Sequence, residues 1–120
     1  MSCQVYWIET ASILGIDCSG VVTADDLKAV VRDSVAALAV QPVYFLIDVS
    51  RMEALPVDFL GTRAFSEWVY HPNARWFAYV GASSLLQSLT QVRHRNTAQY
   101  FKERETALAF LYSAIGYGVS

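Results

Sequence analysis

The chain is 120 residues long, a length that suits one domain, residues 1–120, built on one core. Its net charge of −2 gives no basic surplus for nucleic acid, and its apolar runs are broken well short of the ~18 residues of a membrane span. Hydrophobic residues make up 54% and charged residues 17%, more apolar than an ordinary soluble domain, so a face covered by a second copy is expected, most simply in a homodimer. The first residues show no basic stretch leading into an apolar core and a cleavage site, which points to a cytoplasmic protein.

"QVYWIE" and "SILGIDC" flank Thr10-Ala11. With that dipeptide as a hairpin tip, Cys3 faces Cys18, Val5 faces Ile16 and Trp7 faces Leu14 on a wholly apolar side. Gln4 with Asp17, Tyr6 with Gly15 and Ile8 with Ile13 make a mixed side. In this register Cys3 and Cys18 are expected as a hydrogen-bonded pair with Cα atoms about 5.5 Å apart. That is within disulfide reach, but a cytoplasmic setting favours two buried thiols. With no CxxC pair and no Cys/His cluster, no zinc or other metal site is expected.

Ser19-Gly20 is expected to break the strand. Thr23 then opens a helix of about 16 residues, with Asp25 and Asp26 in its first turn and Leu27, Val30, Val31, Ser34, Val35 and Leu38 at helical spacing. Gln41-Pro42 ends the connection. Val43 to Val49 reads as a central strand covered on both faces, with Asp48 at its end and a polar loop opening at Ser50. Pro56 and Asp58 mark the start of a helix whose stripe is Phe59, Leu60, Ala64, Phe65, Trp68 and Val69, stopped by Pro72.

"ARWFAYVG" is a further buried strand ending at Gly81. "ASSLLQSLTQVRHR" reads as a helix opened by Ser83 or Ser84, with Gln87 placed for a capping box to Ser84. Arg93, His94 and Arg95 fall in its last turn, where cations offset the helix dipole. "TAQYF" is a short strand, and "KERETALAFLYSAI" closes the chain as a helix with Ala107, Leu108 and Leu111 inward. The tail "GYGVS" is expected to fray. The order β-β-α-β-α-β-α-β-α predicts an α/β fold: an N-terminal hairpin followed by βα repeats, a mixed, mostly parallel sheet of four or five strands, and four helices.

The stretches "ILGIDCSGVVTADDL", "VYFLIDVS", "RWFAYVG" and "AQYFKERETALAFL", in this order, resemble the STAS domain (sulfate transporter and anti-sigma-factor antagonist), in its SpoIIAA-like branch. The resemblance covers nearly the whole chain. It implies a STAS-like fold and a non-catalytic regulatory module that binds another protein in a bacterial setting. Regulatory members carry a phosphorylatable Ser at the start of the helix after the third strand, usually within Asp-Ser-Ser-Gly. Here "RMEALPVDFLG" occupies that stretch, with Pro56, Val57 and Asp58 in the region and no hydroxyl between Glu53 and Gly61. The phospho-switch is therefore expected to be absent. SpoIIAA-like domains also resemble the lipid-binding CRAL-TRIO fold, so carriage or sensing of a small hydrophobic ligand is the alternative.

Asp48, Ser50, Arg51, Glu53 and Asp58 are the candidate partner or ligand loop, because open α/β sheets place ligands at the carboxyl ends of their strands. A nucleophilic Ser50 needs a neighbouring base. The only histidines are His71 and His94, and no G-x-S-x-G elbow is present. Capping the turn is the plainer role for Ser50, and accepting loop amides the plainer role for Asp48. No catalytic residue and no cofactor are expected. Gly81, Ser83 and Ser84 form a candidate anion site at a helix start, without the Lys of a P-loop; an ordinary N-cap is the competing reading. Phe59, Phe65 and Trp68 are candidates for an apolar pocket under a mobile helix. If one sheet face is bare, Tyr6, Ile8 and Ile13 contribute to a dimer surface instead.

Overall fold

Alternating apolar residues pair the first two strands, β1 (Cys3–Glu9) and β2 (Ile13–Val21), antiparallel in the computed structural model of the chain. The structure describes residues 2–9, 12–94 and 96–116, with the backbone only at Glu9. The Thr10-Ala11 tip, Arg95 and residues 117–120 lie outside the described residues. The expected register holds from Cys3↔Cys18 to Trp7↔Leu14 and then shifts, so that Glu9, not Ile8, faces Ile13. An extra residue in one strand of a ladder has this effect. The Ser19 amide donates to the Ser2 carbonyl at 2.8 Å. Hydrogen-bonded and non-hydrogen-bonded pairs alternate along an antiparallel ladder. Ser2–Ser19 is therefore the bonded pair and Cys3–Cys18 the non-bonded one, which corrects the pairing expected for the cysteines.

Helix α1 (Ala24–Leu38) starts on a full capping box. Thr23 Oγ1 accepts from the Asp26 amide at 3.1 Å, and the Asp26 carboxylate accepts from the Thr23 amide at 2.9 Å. β3 (Val43–Ala54) runs 12 residues, so the expected loop at Ser50 is strand. The reason lies in β2, which is not broken at Ser19-Gly20. It offers Ser19, Gly20 and Val21 as partners for Arg51, Met52 and Ala54, across two register shifts.

The single helix expected near residues 58–70 is two pieces, a 3-10 turn (Val57–Gly61) and α2 (Arg63–Val69). Thr62 divides them: its hydroxyl donates to the Phe59 carbonyl at 2.7 Å and accepts from the Phe65 amide at 3.4 Å. That side chain closes one turn and caps the next. β4 (Ala74–Val80), α3 (Ser84–His94), β5 (Ala98–Phe101) and α4 (Arg104–Ile115) complete the chain.

The five strands lie in sequence order, β1-β2-β3-β4-β5, with every pair after the first parallel. Successive crossovers of one hand, each to the adjacent strand, put their helices on one face. Accordingly α1, α2 and α3 share the larger core with Phe45, Ile47, Phe77 and Tyr79. α4 alone covers the other face, over β3, β4 and β5, and packs Ala107 and Leu111 on Ile13, Leu46, Ala78 and Val80. Of the residues expected on a bare face, Ile13 is fully buried there and Ile8 packs beside it. Tyr6 lies across Gly15, where a Cβ would come within 2.7 Å of the tyrosine ring.

Candidate functional site

Parallel strands end at a common edge, and at that edge Asp17 of β2 and Asp48 of β3 are register partners. α4 begins at the same edge, so its first residue, Arg104, reaches back over both strands. Its Nη1 lies 3.3 Å from Asp17 Oδ1 and 3.7 Å from Asp48 Oδ2, and its Nη2 donates to Tyr6 Oη at 2.5 Å. Tyr6 donates to Asp17 Oδ1 at 2.9 Å. Asp48 Oδ1 accepts from the Ser50 hydroxyl at 2.6 Å and from the Ser50 amide at 3.0 Å. A polar pocket of about 440 Å³ opens beside this network, with Ser19 and Arg51 in its wall.

The electrostatics are close to balanced. Burial disfavours the charge on Arg104, but the Tyr6 hydroxyl and Asp17 outweigh it and hold the guanidinium above its ordinary value. Burial, against the bond from Arg104, keeps the Tyr6 phenol protonated above its usual range. Ser50 has a carboxylate beside it and no imidazole. His94 Nε2 sits 2.6 Å from Tyr79 Oη inside the core, and His71 Nδ1 accepts from the Asn73 amide at 3.1 Å. Both oxygens of Asp48 are engaged, Oδ1 by Ser50 and Oδ2 by Arg104. The network is arranged to hold charge in place.

Of the five candidate loop residues, Asp48, Ser50 and Arg51 converge on this pocket. Glu53 lies on the other side of the β3 tail, and Asp58 stands exposed on the 3-10 turn, apart from both. Arg104, Tyr6 and Asp17 complete the site. One sign of Arg104 was present in the sequence: a cation in the first turn of a helix opposes the dipole and needs a compensating acid. A carboxylate inside the apolar strand "ILGIDC" was the other.

The β3 tail also walls a groove of about 350 Å³ between itself and α3, lined by Met52, Leu55, Val57, Leu85, Leu86 and Leu89 among others. Leu85 is 67% exposed and Val57 47%. β3 passes this point because residue 81 is glycine: its φ is +74°, and a Cβ there would fall 2.5 Å from Ser50 Cβ. Two of the three candidate anion residues, Gly81 and Ser83, are thus engaged locally. Gly81 abuts Ser50, and Ser83 Oγ accepts from the Leu86 amide at 3.2 Å. Gln87 donates to the Ala82 carbonyl at 3.1 Å and does not form the expected box with Ser84. At the far end of α3, Arg93 donates to the Leu60 carbonyl at 2.7 Å and His94 is buried, so neither stands as a free cation against the dipole.

Phe59, Phe65 and Trp68 are all buried in an aromatic cluster of edge-to-face contacts that also takes in the stacked pair Phe45 and Phe77. The void they share is about 50 Å³, against the roughly 300–1,000 Å³ of an ordinary small-molecule site. In this conformation the expected apolar pocket is filled by its own side chains. Burial lowers the His94 pKa to about 4.

The sequence profile of the SpoIIAA-like family matches residues 13–112. The chain belongs to this family. A search of curated proteins finds no match. Among solved structures, an uncharacterized protein of the DUF3478 family from Shewanella loihica PV-4, with a SpoIIAA-like fold, matches with a TM-score of 0.66 at 18% identity. The match covers 91% of each chain. The anti-sigma factor antagonist SpoIIAA in its unphosphorylated form matches with a TM-score of 0.66 at 13% identity, over 92% of this chain and 96% of that one. An anti-sigma factor antagonist from Mycobacterium paratuberculosis matches with a TM-score of 0.60 at 18% identity, over 91% and 92%. At such identities the likeness is one of fold: an α/β, SpoIIAA-like architecture. Among the described residues, no helix is long and apolar enough to cross a membrane.

Proposed function

We propose that this chain is a single-domain, non-catalytic regulatory module of the cytoplasm that binds a protein partner through the groove between the β3 tail and α3. The observation that carries this reading is the exposure of Leu85 and Val57 in the lining of a groove that also holds Met52, Leu86 and Leu89. Covering a Leu or Val side chain stabilises a complex by roughly 1.5–3 kcal/mol when the residue starts fully exposed, so these two anchors act as a small hot spot. Glu53 on the same wall favours a partner segment with a cation beside its apolar ridge. The SpoIIAA-like membership, and the anti-sigma factor antagonists that share the fold, make an anti-sigma-factor-like regulator the partner class. Pro56, Val57 and Asp58 stand where regulatory members carry serine, so this module works without that phospho-switch. The alternative, carriage of a small hydrophobic ligand, has only the 50 Å³ void to support it.

A photo-crosslinking residue at position 85 or 57, with position 40 as an exposed control, tests the reading in cells that express the full chain. One discrete heterologous product from 85 and 57, absent from 40 and lost on Leu89→Glu, is the expected result. Equal labelling from all three positions overturns it. A product of twice the chain's mass replaces the heterologous partner with a second copy.

A further inference from the structure

Two groups remain outside this proposal. Cys3 and Cys18 face each other across the β1–β2 ladder, both 6% exposed, with their sulfurs 3.3 Å apart. Theirs is a non-hydrogen-bonded antiparallel site, where Cα atoms lie about 4.5 Å apart, inside the roughly 4.4–6.8 Å that a disulfide spans. Closing the sulfur gap asks for side-chain rotation and no opening of the ladder. Both sulfurs lie on the core face, and each residue also borders an opening. Cys3 lines a groove of about 570 Å³ between β1 and α1, and Cys18 lines the polar pocket that holds Arg104.

We propose that Cys3 and Cys18 form an intramolecular redox pair, closed to a disulfide by hydrogen peroxide and reopened by thiols. The oxidant class follows from the groove. Asp25, Asp26 and Asp33 lie in its walls with Arg32, an acidic approach that disfavours anionic disulfides such as oxidised glutathione and admits a small neutral peroxide. The first nucleophile is Cys3. Cys3 alone of the two lines the groove through which the peroxide arrives, and its pairing with Cys18 holds its thiol below the ordinary value against the opposing effect of burial. The thiolate is the reactive species.

The Cys3 thiolate attacks one peroxide oxygen, the O–O bond breaks, and hydroxide leaves as water after taking a proton. Cys3 is then a sulfenic acid. The Cys18 sulfur attacks the Cys3 sulfur, the S–O bond breaks, and a second water leaves with the Cys18 proton. Two thiols have given two electrons and two protons to one peroxide. The new bond staples the strand end carrying Ser2 and Gln4, which also border the polar pocket, to β2. Reversible disulfides of this kind occur in reducing compartments as redox sensors.

Graded peroxide treatment of the full reduced chain, read by intact mass, alkylation and non-reducing peptide mapping, tests the proposal. Expected are loss of two hydrogens, loss of both alkylatable thiols, a Cys3–Cys18 linked peptide and full reversal by dithiothreitol. In Cys18→Ser, Cys3 stops at a sulfenic acid trapped by dimedone; in Cys3→Ser, Cys18 stays unreacted. The wild-type result needs no variant, so misfolding of either serine form leaves the test intact. Retention of both thiols, accumulation of sulfinic acid without the linked peptide, or a linkage between two chains overturns the pair. Faster closure by oxidised glutathione than by peroxide at equal concentration overturns the assignment of oxidant. Exchange of the Ser19 amide, which bonds Ser2, slows roughly tenfold in the oxidised form; an unchanged rate overturns the stapling.

Discussion

The two sides of the sheet are built differently. The α1–α3 side is a thick aromatic layer in which Phe45, Phe77, Trp68 and Phe65 interlock around His94. The α4 side has one helix, and where that helix gives out over β1 and β2 a polar lattice of Tyr6, Asp17, Asp48 and Arg104 takes over. Apolar packing rewards completeness, so the three-helix side leaves little room and carries stability. The side with one helix keeps its polar groups beside solvent, and there the polar pocket opens. The aromatic core and the polar network are segregated across a single β-layer, while the groove beside α3 opens at the margin of the packed side.

The largest expected effect tests the packed side. Phe77→Ala removes a stacked, fully buried ring and lowers unfolding free energy by about 3–5 kcal/mol in urea titrations. A loss below about 1 kcal/mol would show that this side is not the stabilising one. The next is pH. His94 is held neutral, with its pKa lowered to about 4 from 6.5. Between these values the unfolded chain binds a proton that the folded chain refuses, so stability falls as pH drops from 6.5 towards 4. The shift corresponds to about 3 kcal/mol at 1.36 kcal/mol per unit. His94→Leu flattens that part of the pH profile, and an unaltered profile assigns the dependence elsewhere.

Smaller still is the effect on the polar side. Arg104→Met, at a side chain 36% exposed, costs about 1 kcal/mol and makes the remaining stability less sensitive to salt. A loss comparable to that of Phe77→Ala would erase the contrast between the two sides. Smallest is Leu85→Asp on the groove rim, within about 0.5 kcal/mol of wild type in the free chain, yet expected to remove the crosslinked partner.

Local chemistry made much of this legible in advance. The hairpin register from Cys3 to Trp7 followed from the Thr10-Ala11 tip and the sorting of the two faces, though not the shift that sets Glu9 opposite Ile13, and the start of α1 followed from Thr23 with Asp26. The errors came where a residue's usual local meaning was overridden by a partner elsewhere. Ser19-Gly20 reads as a stop, yet a bulged extension of β3 keeps it in the ladder. Gly61-Thr62 lies inside an apolar stripe, yet the threonine hydroxyl divides it. The pocket was half visible: Asp48, Ser50 and Arg51 are neighbours in sequence, whereas Arg104 reaches Asp17 across 87 positions. Spacing rules do not extend that far, and only a cation at the wrong end of a helix hinted at the missing acid.

Strand order carries a consequence for biosynthesis. Since β1 to β5 are laid down in the order in which they lie, every nascent βα unit finds its docking edge already made, and no segment waits for a later one until the end. α4 is the exception. Until it docks, Ile13, Leu46, Ala78 and Val80 form an oily strip with nothing over it, so the sheet made from the earlier segments stays sticky on that face until α4 is laid down.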